Sequence, residues 1–379
     1  MVSRRQWIAA LAIGAFALPA LAACGQSSPG GSTSSPAPAS SSAPASSTAA
    51  ASPTVNIAET GSSLLFPLFN IWQPDYQKAN PGVQISTAST GSGAGISQAI
   101  AGLVQIGASD AYMSPAEVKQ APNLLNIPLV ISAQQVNYNV PGLNGTHLQL
   151  DGPVLAGIYT GAIKYWDDAQ IAALNPGVKL PHQAIVPVRR SDGSGDTFLF
   201  TQYLTDTAGA AWKSVGYGTS VTWPQLATEV AANGNQGVEA AIKQAPGAIG
   251  YVGISWLNQA NKDGLGYAAL KNKNGKFVLP GDATITAAVN AMVANTPANE
   301  RVSLIDAPGA TSYPIINFEY AMVSKSQPNA AMAAALKKFL TWALDSNGGN
   351  ATGYLSQVHF IQLPASVVKL SQAQIAEIS

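Results

Sequence analysis

The chain has 379 residues, of which 47% are hydrophobic, and its 19 Lys and Arg side chains equal its 19 Asp and Glu side chains in number. This balance argues against nucleic acid or anionic lipid as the main ligand, so any anion-binding site must be local. The only cysteine is Cys24, which excludes an intrachain disulfide bond.

The N-terminal residues are typical of an exported lipoprotein. Arg4 and Arg5 precede an apolar run, residues 7–18, that is too short to span a bilayer comfortably. Residues 21–24 (Leu-Ala-Ala-Cys) resemble a lipobox. We therefore expect residues 1–23 to be a signal peptide and Cys24 to be lipidated, which would anchor the protein at the extracytoplasmic face of the cell membrane. A plain signal peptide followed by a chance cysteine is the alternative.

A tether follows the lipobox. Residues 25–53 contain only Gly, Gln, Ser, Thr, Pro and Ala, so they cannot bury an apolar core. We expect residues 24–53 to form a disordered tether. The rest of the chain exceeds the usual size of one hydrophobic core, which favours two domains.

The first predicted strand leads through a polar turn into a helix. Residues 55–58 alternate like a strand, and residues 64–78 have the pattern of a helix that Ser62 or Ser63 would cap. Pro67 is tolerated only in the first turn of such a helix. This order places free backbone N–H groups directly after a strand.

Two further strands end in polar residues. Residues 83–87 form a predicted strand that is followed by residues 90–95 (Thr-Gly-Ser-Gly-Ala-Gly), with Ser92 at the tip of the turn and a helix after it. Residues 104–110 form a short apolar strand that ends in Asp110, ahead of a capping box that starts at Ser114.

The most distinctive stretch is residues 189–196 (Arg-Arg-Ser-Asp-Gly-Ser-Gly-Asp), which runs into an apolar helix that Ser194 or Asp196 would cap. The start of a helix is partly positive and offers free N–H groups. Glycine allows close approach of the backbone, and Arg190 offers a planar charged group. Together these features predict an oxyanion-binding site.

Strands and helices alternate along the remaining chain. Strands are predicted at residues 127–131, 136–140 and 247–252 and as a pair within 314–323, a hairpin at Asn274-Gly275, and helices at residues 151–158, 167–174, 238–243, 330–344 and 365–378. This alternation favours α/β domains with mostly parallel sheets, in which ligands bind beyond the carboxyl ends of strands.

Signals for catalysis are weak. The three histidines, His147, His182 and His359, lack metal-ligand spacing, and neither Ser92 nor Ser194 lies in a nucleophile elbow. We expect a binding protein that uses no metal or cofactor.

Four segments, in order, resemble the PstS family, the phosphate-binding lipoproteins of bacterial high-affinity phosphate ABC transporters. They are residues 60–67 (Thr-Gly-Ser-Ser-Leu-Leu-Phe-Pro), 90–93 (Thr-Gly-Ser-Gly), 106–111 (Ile-Gly-Ala-Ser-Asp-Ala) and 190–195 (Arg-Ser-Asp-Gly-Ser-Gly). The resemblance extends from about Thr54 to the end of the chain.

The resemblance implies a two-lobed, type II periplasmic-binding-protein fold, in which two α/β domains close over an anion. Lobe I would comprise residues 54–138 and 312–379, and lobe II would comprise residues 139–311. Two crossover strands, near residues 138–139 and 311–314, would join the lobes. The ligand would be inorganic phosphate, and the partners would be the membrane permease and ATPase subunits of a phosphate ABC transporter.

The resemblance also implies the phosphate-binding residues. They are Leu64, Leu65, Phe66, Ser92, Asp110, Arg190, Ser194, Gly195 and Asp196. Asp110 would accept the phosphate's own proton, and Arg190, braced by Asp192, would supply charge. The remaining residues would contribute backbone or hydroxyl donors.

Two positions depart from the family, because many members carry threonine where this chain has Leu65 and Asp196. Leu65 would then contribute only its backbone. Asp196 would either accept a second phosphate proton or turn away to pair with the helix start and Arg190, and both alternatives stay open at this point.

Three other functions are alternatives to phosphate binding. A sulfate or molybdate receptor is disfavoured, because the Asp110 carboxylate would repel an anion that carries no proton. A secreted phosphatase would need a metal cluster or an activated nucleophile. A surface adhesin with a vestigial site is the third alternative.

Overall fold

The computed structural model describes residues Thr54–Ser379. The predicted signal peptide, the predicted lipidation site at Cys24 and the predicted tether lie outside the described residues. Strands and helices alternate over most of the described chain, as the sequence pattern predicts, and the α/β class is confirmed.

The strands are β1 (Val55–Gly61), β2 (Val83–Ser86), β3 (Ile106–Ser109), β4 (Leu124–Tyr138), β5 (Gln149–Leu150), β6 (Val186–Arg190), β7 (Val230–Ala232), β8 (Ala248–Gly253), β9 (Gly266–Tyr267), β10 (Ala269–Lys271), β11 (Phe277–Val278) and β12 (Ile316–Ser324). The helices are α1 (Phe66–Ala79), α2 (Ser92–Ile100), α3 (Pro115–Gln120), α4 (Gly152–Thr160), α5 (Ala169–Leu174), α6 (Gly195–Thr207), α7 (Gly234–Gln244), α8 (Leu257–Lys262), α9 (Asp282–Met292), α10 (Ala330–Leu344), α11 (Thr352–Leu355) and α12 (Ala365–Ala376).

The main sheet is mixed and has nine strands in the order β2-β1-β3-β12-β4-β8-β6-β7, with β9 paired to β4. The outer pairs are parallel, but β4 and β12 run antiparallel to their neighbours. The expectation of mostly parallel sheets therefore holds only at the two ends. A smaller sheet contains β11, β10 and β5, and the predicted hairpin at Asn274-Gly275 joins β10 to β11.

Strand β4 corrects the sequence prediction of two separate strands at residues 127–131 and 136–140. It is one strand of 15 residues, and all of it after Leu124 is buried. Residues 132, 134 and 135, between the two predicted strands, are polar. They remain in the strand because their side chains find buried partners: Ser132 Oγ donates to Glu319 Oε1 at 2.6 Å, and Gln134 Nε2 donates to the Asp196 backbone oxygen at 2.8 Å.

Strand β12 likewise replaces the strand pair predicted within residues 314–323. It pairs with β4 along its whole length, with a shift of register between Glu319 and Tyr320. Pro128 of β4 pairs with Tyr320 at this irregularity, where a residue without an N–H group costs the ladder least. A shift of register, and no turn, thus lies within the range predicted as two strands.

The pairing of β4 changes partner in mid-strand. Its residues up to Ala133 pair with β12, and those from Gln134 onwards pair with β8. This change precedes the predicted crossing near residues 138–139. The division into lobe I (54–138 and 312–379) and lobe II (139–311) stays a prediction.

Aromatic packing fixes helix α1 against helix α10. Trp72 and Tyr76 are buried against Phe339 and Trp342 of α10, with ring centroids 5.0–6.3 Å apart. Trp72 Nε1 also donates to the Gly349 backbone oxygen at 2.8 Å. Such aromatic pairs add to the free energy that burial of their area provides.

None of the helices within residues 54–379 combines the length and the hydropathy that a membrane span requires.

Candidate functional site

The residues that follow strands β1, β3 and β6 lie side by side, and helices α1, α2 and α6 begin among them. The Gly93 N–H donates to the Gly193 backbone oxygen at 2.9 Å, which joins the first turn of α2 to the turn before α6. Each helix start adds partial positive charge. Glycine and serine keep the side chains small enough for three such turns to meet.

Asp110 is the acceptor at the centre of this region. Its side chain is buried and accepts a short hydrogen bond from Ser62 Oγ, and its N–H donates to Ser92 Oγ at 3.2 Å. Burial and repulsion by Glu319 raise the pKa of Asp110 well above its ordinary value, against the opposing effects of Ser62 and Arg190. The site therefore holds a carboxyl group with high proton affinity.

Gly195 brings helix α6 against Asp110. A Cβ atom at Gly195 would lie 2.5 Å from Asp110 Cβ and 2.6 Å from Ser92 Oγ. Only glycine permits this approach. The structure thus places Gly195 in contact with two other predicted site residues, although they are far away in the sequence.

Arg190 is buried between two carboxylates. Its Nε donates to Asp192 Oδ1 at 2.8 Å, its Nη2 donates to Asp192 Oδ2, and its Nη1 donates to Asp196 Oδ2 at 2.8 Å. Burial acts to lower the pKa of Arg190, but these carboxylates raise it above its ordinary value. Burial also acts to raise the pKa of Asp192, but Arg190 lowers it below its ordinary value. The predicted bracing of Arg190 by Asp192 is present.

Asp196 pairs with protein groups, which corresponds to the second of the two alternatives for this residue. Besides Arg190, it accepts from Asn235 Nδ2 at 2.7 Å and from Gln134 Nε2 at 3.1 Å. Burial and the Asp110 charge raise the pKa of Asp196 to about 7, although Arg190 opposes that rise. The cap of α6 is Ser194, whose Oγ accepts from the Thr197 N–H at 3.3 Å.

The turn before α1 is held by Ser62. The N–H groups of Leu64 and Leu65 donate to Ser62 Oγ at 3.1 and 2.8 Å, and the Phe66 N–H donates to the Ser62 backbone oxygen at 3.1 Å. Helix α1 itself begins at Phe66 and has no side-chain cap. These three amides therefore have partners within the turn, and their contact with an anion stays a prediction.

Contacts from the far side of the site reach the same turn. Asn235 donates to Ser63 Oγ through both its backbone N–H, at 3.0 Å, and its Nδ2, at 2.9 Å. Ser255 Oγ donates to the Leu64 backbone oxygen at 2.7 Å, and Trp256 Nε1 donates to the Ser63 backbone oxygen at 3.1 Å. The start of α1 is thus fastened to residues that follow β7 and β8.

The structure brings all predicted binding residues from Leu64 to Asp196 into one region, and it adds Ser62, Gln134, Asn235 and Glu319. Asn235 follows a polar, glycine-containing turn before α7, the same signal that singled out Ser92. Glu319 is a single charged residue in an apolar strand, and such a residue is rarely buried without a partner. No comparable signal marks Gln134.

Similar proteins give an independent view of the chain. Residues 43–347 match the family model of the PBP superfamily domain. The phosphate-binding protein PstS of Methanocaldococcus jannaschii is 37% identical to this chain over 334 residues, which cover 83% of this chain and 84% of that protein. The protein of the same name from Xylella fastidiosa is 35% identical over 320 residues, with 84% of each chain covered.

Solved structures agree in fold. A phosphate-binding protein from Stenotrophomonas maltophilia superimposes with a TM-score of 0.67 at 21% identity, over 84% of this chain and 93% of that chain. This similarity shows that the chain has the periplasmic-binding-protein fold. The family model and the relatives that are more than 30% identical along most of their length show that the chain belongs to the PstS family.

Proposed function

We propose that this chain binds inorganic phosphate outside the cytoplasm and delivers it to an ABC-type phosphate importer. Relatives named phosphate-binding protein PstS support this function. The observation that carries it is the burial of Arg190 and Asp110 in one site, at the starts of α2 and α6. A cation, helix-start donors and a carboxyl acceptor suit a tetrahedral anion that retains a proton.

The chemistry of the site favours phosphate over sulfate. At neutral pH phosphate still carries at least one proton, which an Asp110 carboxylate oxygen can accept in a charge-assisted hydrogen bond. Sulfate offers no proton, so the same oxygen would face a like charge in a poorly solvated site. Specificity then comes from repulsion of the wrong anion as much as from attraction of the right one.

The protein acts as a receptor and not as an enzyme in this proposal. Its partners are the membrane permease and ATPase subunits of the importer, and lipidated Cys24 holds it at the extracytoplasmic face of the membrane. Cell fractionation tests the anchor: the wild type should sediment with membranes, and Cys24→Ser should be released or remain as precursor. Equal membrane association of both proteins after removal of the signal peptide would contradict the anchor without affecting the ligand.

Binding itself is tested with inorganic phosphate and protein that has been stripped of ligand by unfolding and refolding. At about a hundred times the dissociation constant, phosphate should raise the free energy of unfolding by about 2.7 kcal/mol, because it binds only the folded state. Chloride at equal ionic strength is the control. A thermal melt that phosphate does not shift would contradict the function, as would sustained release of phosphate from phosphate esters.

A further inference from the structure

Glu319 is a second buried carboxyl group behind Asp110. Its side chain is fully buried in β12, and Tyr320, the next residue, pairs with Ser109, which precedes Asp110. Residues opposite one another on adjacent strands have Cβ atoms about 5 Å apart. The register of β12 on β3 therefore sets Glu319 next to Asp110, and the two carboxyl groups lie within hydrogen-bonding reach.

The two oxygens of Glu319 have different surroundings. Oε1 accepts from Ser132 Oγ at 2.6 Å and from Asn317 Nδ2 at 2.8 Å. Oε2 is buried, and no donor in the part of the chain from 54 to 379 contacts it. A buried oxygen without a partner is costly unless it carries a proton that it can donate. The acceptor within reach of such a proton is Asp110.

Two carboxylates cannot both be ionised cheaply at this distance in a buried site. Burial raises the pKa of Glu319 to about 7, although Ser132 and Asn317 donate to it, and the pKa of Asp110 is raised as well. The pair therefore retains a proton at neutral pH. Arg190 acts on Asp110 and favours its ionised form, and Ser62 already donates to Asp110. In the absence of ligand, the hydrogen bond between the two carboxyl groups acts in the opposite sense, because it raises the pKa of Asp110 and lowers that of Glu319. An anion that donates its P–OH proton to Asp110 requires Asp110 to be ionised, and the shared proton then belongs on Glu319.

We propose that Glu319 is a positioning residue for the anion, whose neutral carboxylic acid donates a hydrogen bond from Oε2 to Asp110 and so keeps Asp110 an acceptor for the ligand's P–OH group. This proposal rests on the phosphate-binding function proposed above. The titratable and charged groups that face Glu319 and Asp110 are Asp196 and Arg190, and Tyr320 is the neighbour on the same strand. Ionisation of Glu319 would place a second negative charge behind Asp110 and weaken the binding of any anion.

The test compares the pH dependence of phosphate binding in three full-length proteins. The dissociation constant for inorganic phosphate is measured by calorimetry from about pH 5.5 to about pH 8.5, a range that spans the titration of such a carboxyl group. Glu319→Gln replaces the acid by a permanently neutral donor of the same shape. Glu300→Gln is the matched control, because Glu300 is an equally buried glutamate whose partners are Ser371 and Gln374 of α12.

We expect Glu319→Gln to bind phosphate within about threefold of the wild type at acidic pH and about tenfold more tightly at the alkaline end, since each pH unit above a pKa changes the neutral fraction about tenfold. The protonation of phosphate itself cancels in this ratio. The profile of Glu300→Gln should coincide with that of the wild type. A constant loss of affinity at every pH in Glu319→Gln would show a merely structural role, and identical profiles would show that no proton is held there; either result overturns the proposal.

A second variant covers the case in which Glu319→Gln does not fold. Ser132→Ala removes a hydrogen bond that favours ionised Glu319, so its loss of affinity should begin at higher pH than in the wild type. An unshifted midpoint would contradict the proposal. Sulfate gives a further criterion: wild-type protein that binds sulfate as well as phosphate would place the proton on Asp110 instead. Absence of phosphate binding at every pH would instead contradict the proposed function itself.

Discussion

The guanidinium group of Arg190 contacts the carboxylate of Asp196, with 2.8 Å between Nη1 and Oδ2, and both side chains are buried. Asp192 binds the other edge of the same guanidinium group. An incoming anion would therefore meet a cation whose charge is already divided between two carboxylates. We infer that directed hydrogen bonds, rather than net attraction, decide which anion binds.

The role of Asp196 can be tested by Asp196→Asn. The oxygens of Asp196 are occupied by Arg190, Asn235 and Gln134, so we expect the substitution to lower the free energy of unfolding by about 1–3 kcal/mol, the cost of disrupting buried hydrogen bonds. The preference for phosphate over sulfate should not change. Urea unfolding and competition titrations measure the two effects, and a lower preference with full stability would show that Asp196 faces the anion.

Asp110→Asn should alter selectivity. The amide cannot act as a charged acceptor for the P–OH group and no longer repels sulfate. Phosphate should bind more weakly, and the ratio of the two affinities should fall by orders of magnitude. Competition titrations with both anions measure this ratio. If Asp110→Asn rejected sulfate as strongly as the wild type does, another carboxyl group would set the selectivity.

Arg190→Ala should weaken phosphate binding by about 1.5–3 kcal/mol, the contribution of a charged hydrogen-bond partner. The protein should also lose about 3–5 kcal/mol of stability, because Asp196 is left buried without its cation. Arg189→Ala is the matched control, since Arg189 pairs with Glu229 and is not a predicted site residue. Calorimetry and urea unfolding separate the two losses. Equal phosphate affinities of the two variants would remove Arg190 from the site.

Gly195→Ala should interfere with the approach of α6 to Asp110. The added methyl group would lie 2.6 Å from Ser92 Oγ, which is closer than real side-chain contacts allow. We expect at least a tenfold loss of phosphate affinity, equivalent to about 1.4 kcal/mol. Gly82→Ala is the control, because it adds the same atom where no residue other than the chain neighbours lies within 4 Å. Retention of wild-type affinity in Gly195→Ala would mean that the contact with Asp110 is not required for binding.

Glu300 makes stability depend on pH. Burial raises its pKa from 4.5 to about 8, although Ser371 and Gln374 donate to it. The folded state thus holds this proton more tightly than the unfolded state does. The resulting stability is fully present below about pH 4 and is lost as the pH rises towards about 8, by up to about 1.4 kcal/mol per pH unit.

Glu300→Gln should remove this component while leaving those of the other buried carboxyl groups. The comparison is the free energy of unfolding in urea at several pH values. The stability curves of the two proteins should run parallel below about pH 4, where Glu300 is neutral in both the folded and the unfolded state. Between about pH 4 and about pH 8 the wild type should lose stability relative to Glu300→Gln. Parallel curves would show that Glu300 titrates normally in the folded protein.

The parts of the site that the sequence predicted are those with local signals. Ser92, Asp110 and Ser194 each follow a predicted strand in a small, polar turn ahead of a helix, and the structure keeps that order. Such turns depend on residues that are close in sequence, because capping and positive φ angles are short-range effects. The alternation of strands and helices can be predicted from the sequence for the same reason.

The parts that the sequence did not predict depend on distant partners. Ser132 and Gln134 fall between the two predicted strands, and their place within one strand depends on Glu319 and Asp196, 187 and 62 residues away along the chain. The same holds for Asn235, which joins Ser63 to Asp196. A polar residue in an apolar segment predicts a turn when its partner is unknown and a buried network when the partner is present.

Strand β4 also sets a distance. Ser132 donates to Glu319, Gln134 donates to Asp196, and the two donors are two positions apart on one face of the strand. Same-face neighbours of a strand are about 6.6–6.8 Å apart. The spacing of the two donors along β4 thus sets the distance between Glu319, which lies next to Asp110, and Asp196, which binds Arg190. Inserting one residue between Ser132 and Gln134 would turn one donor to the opposite face, so this spacing should tolerate substitutions but not insertions.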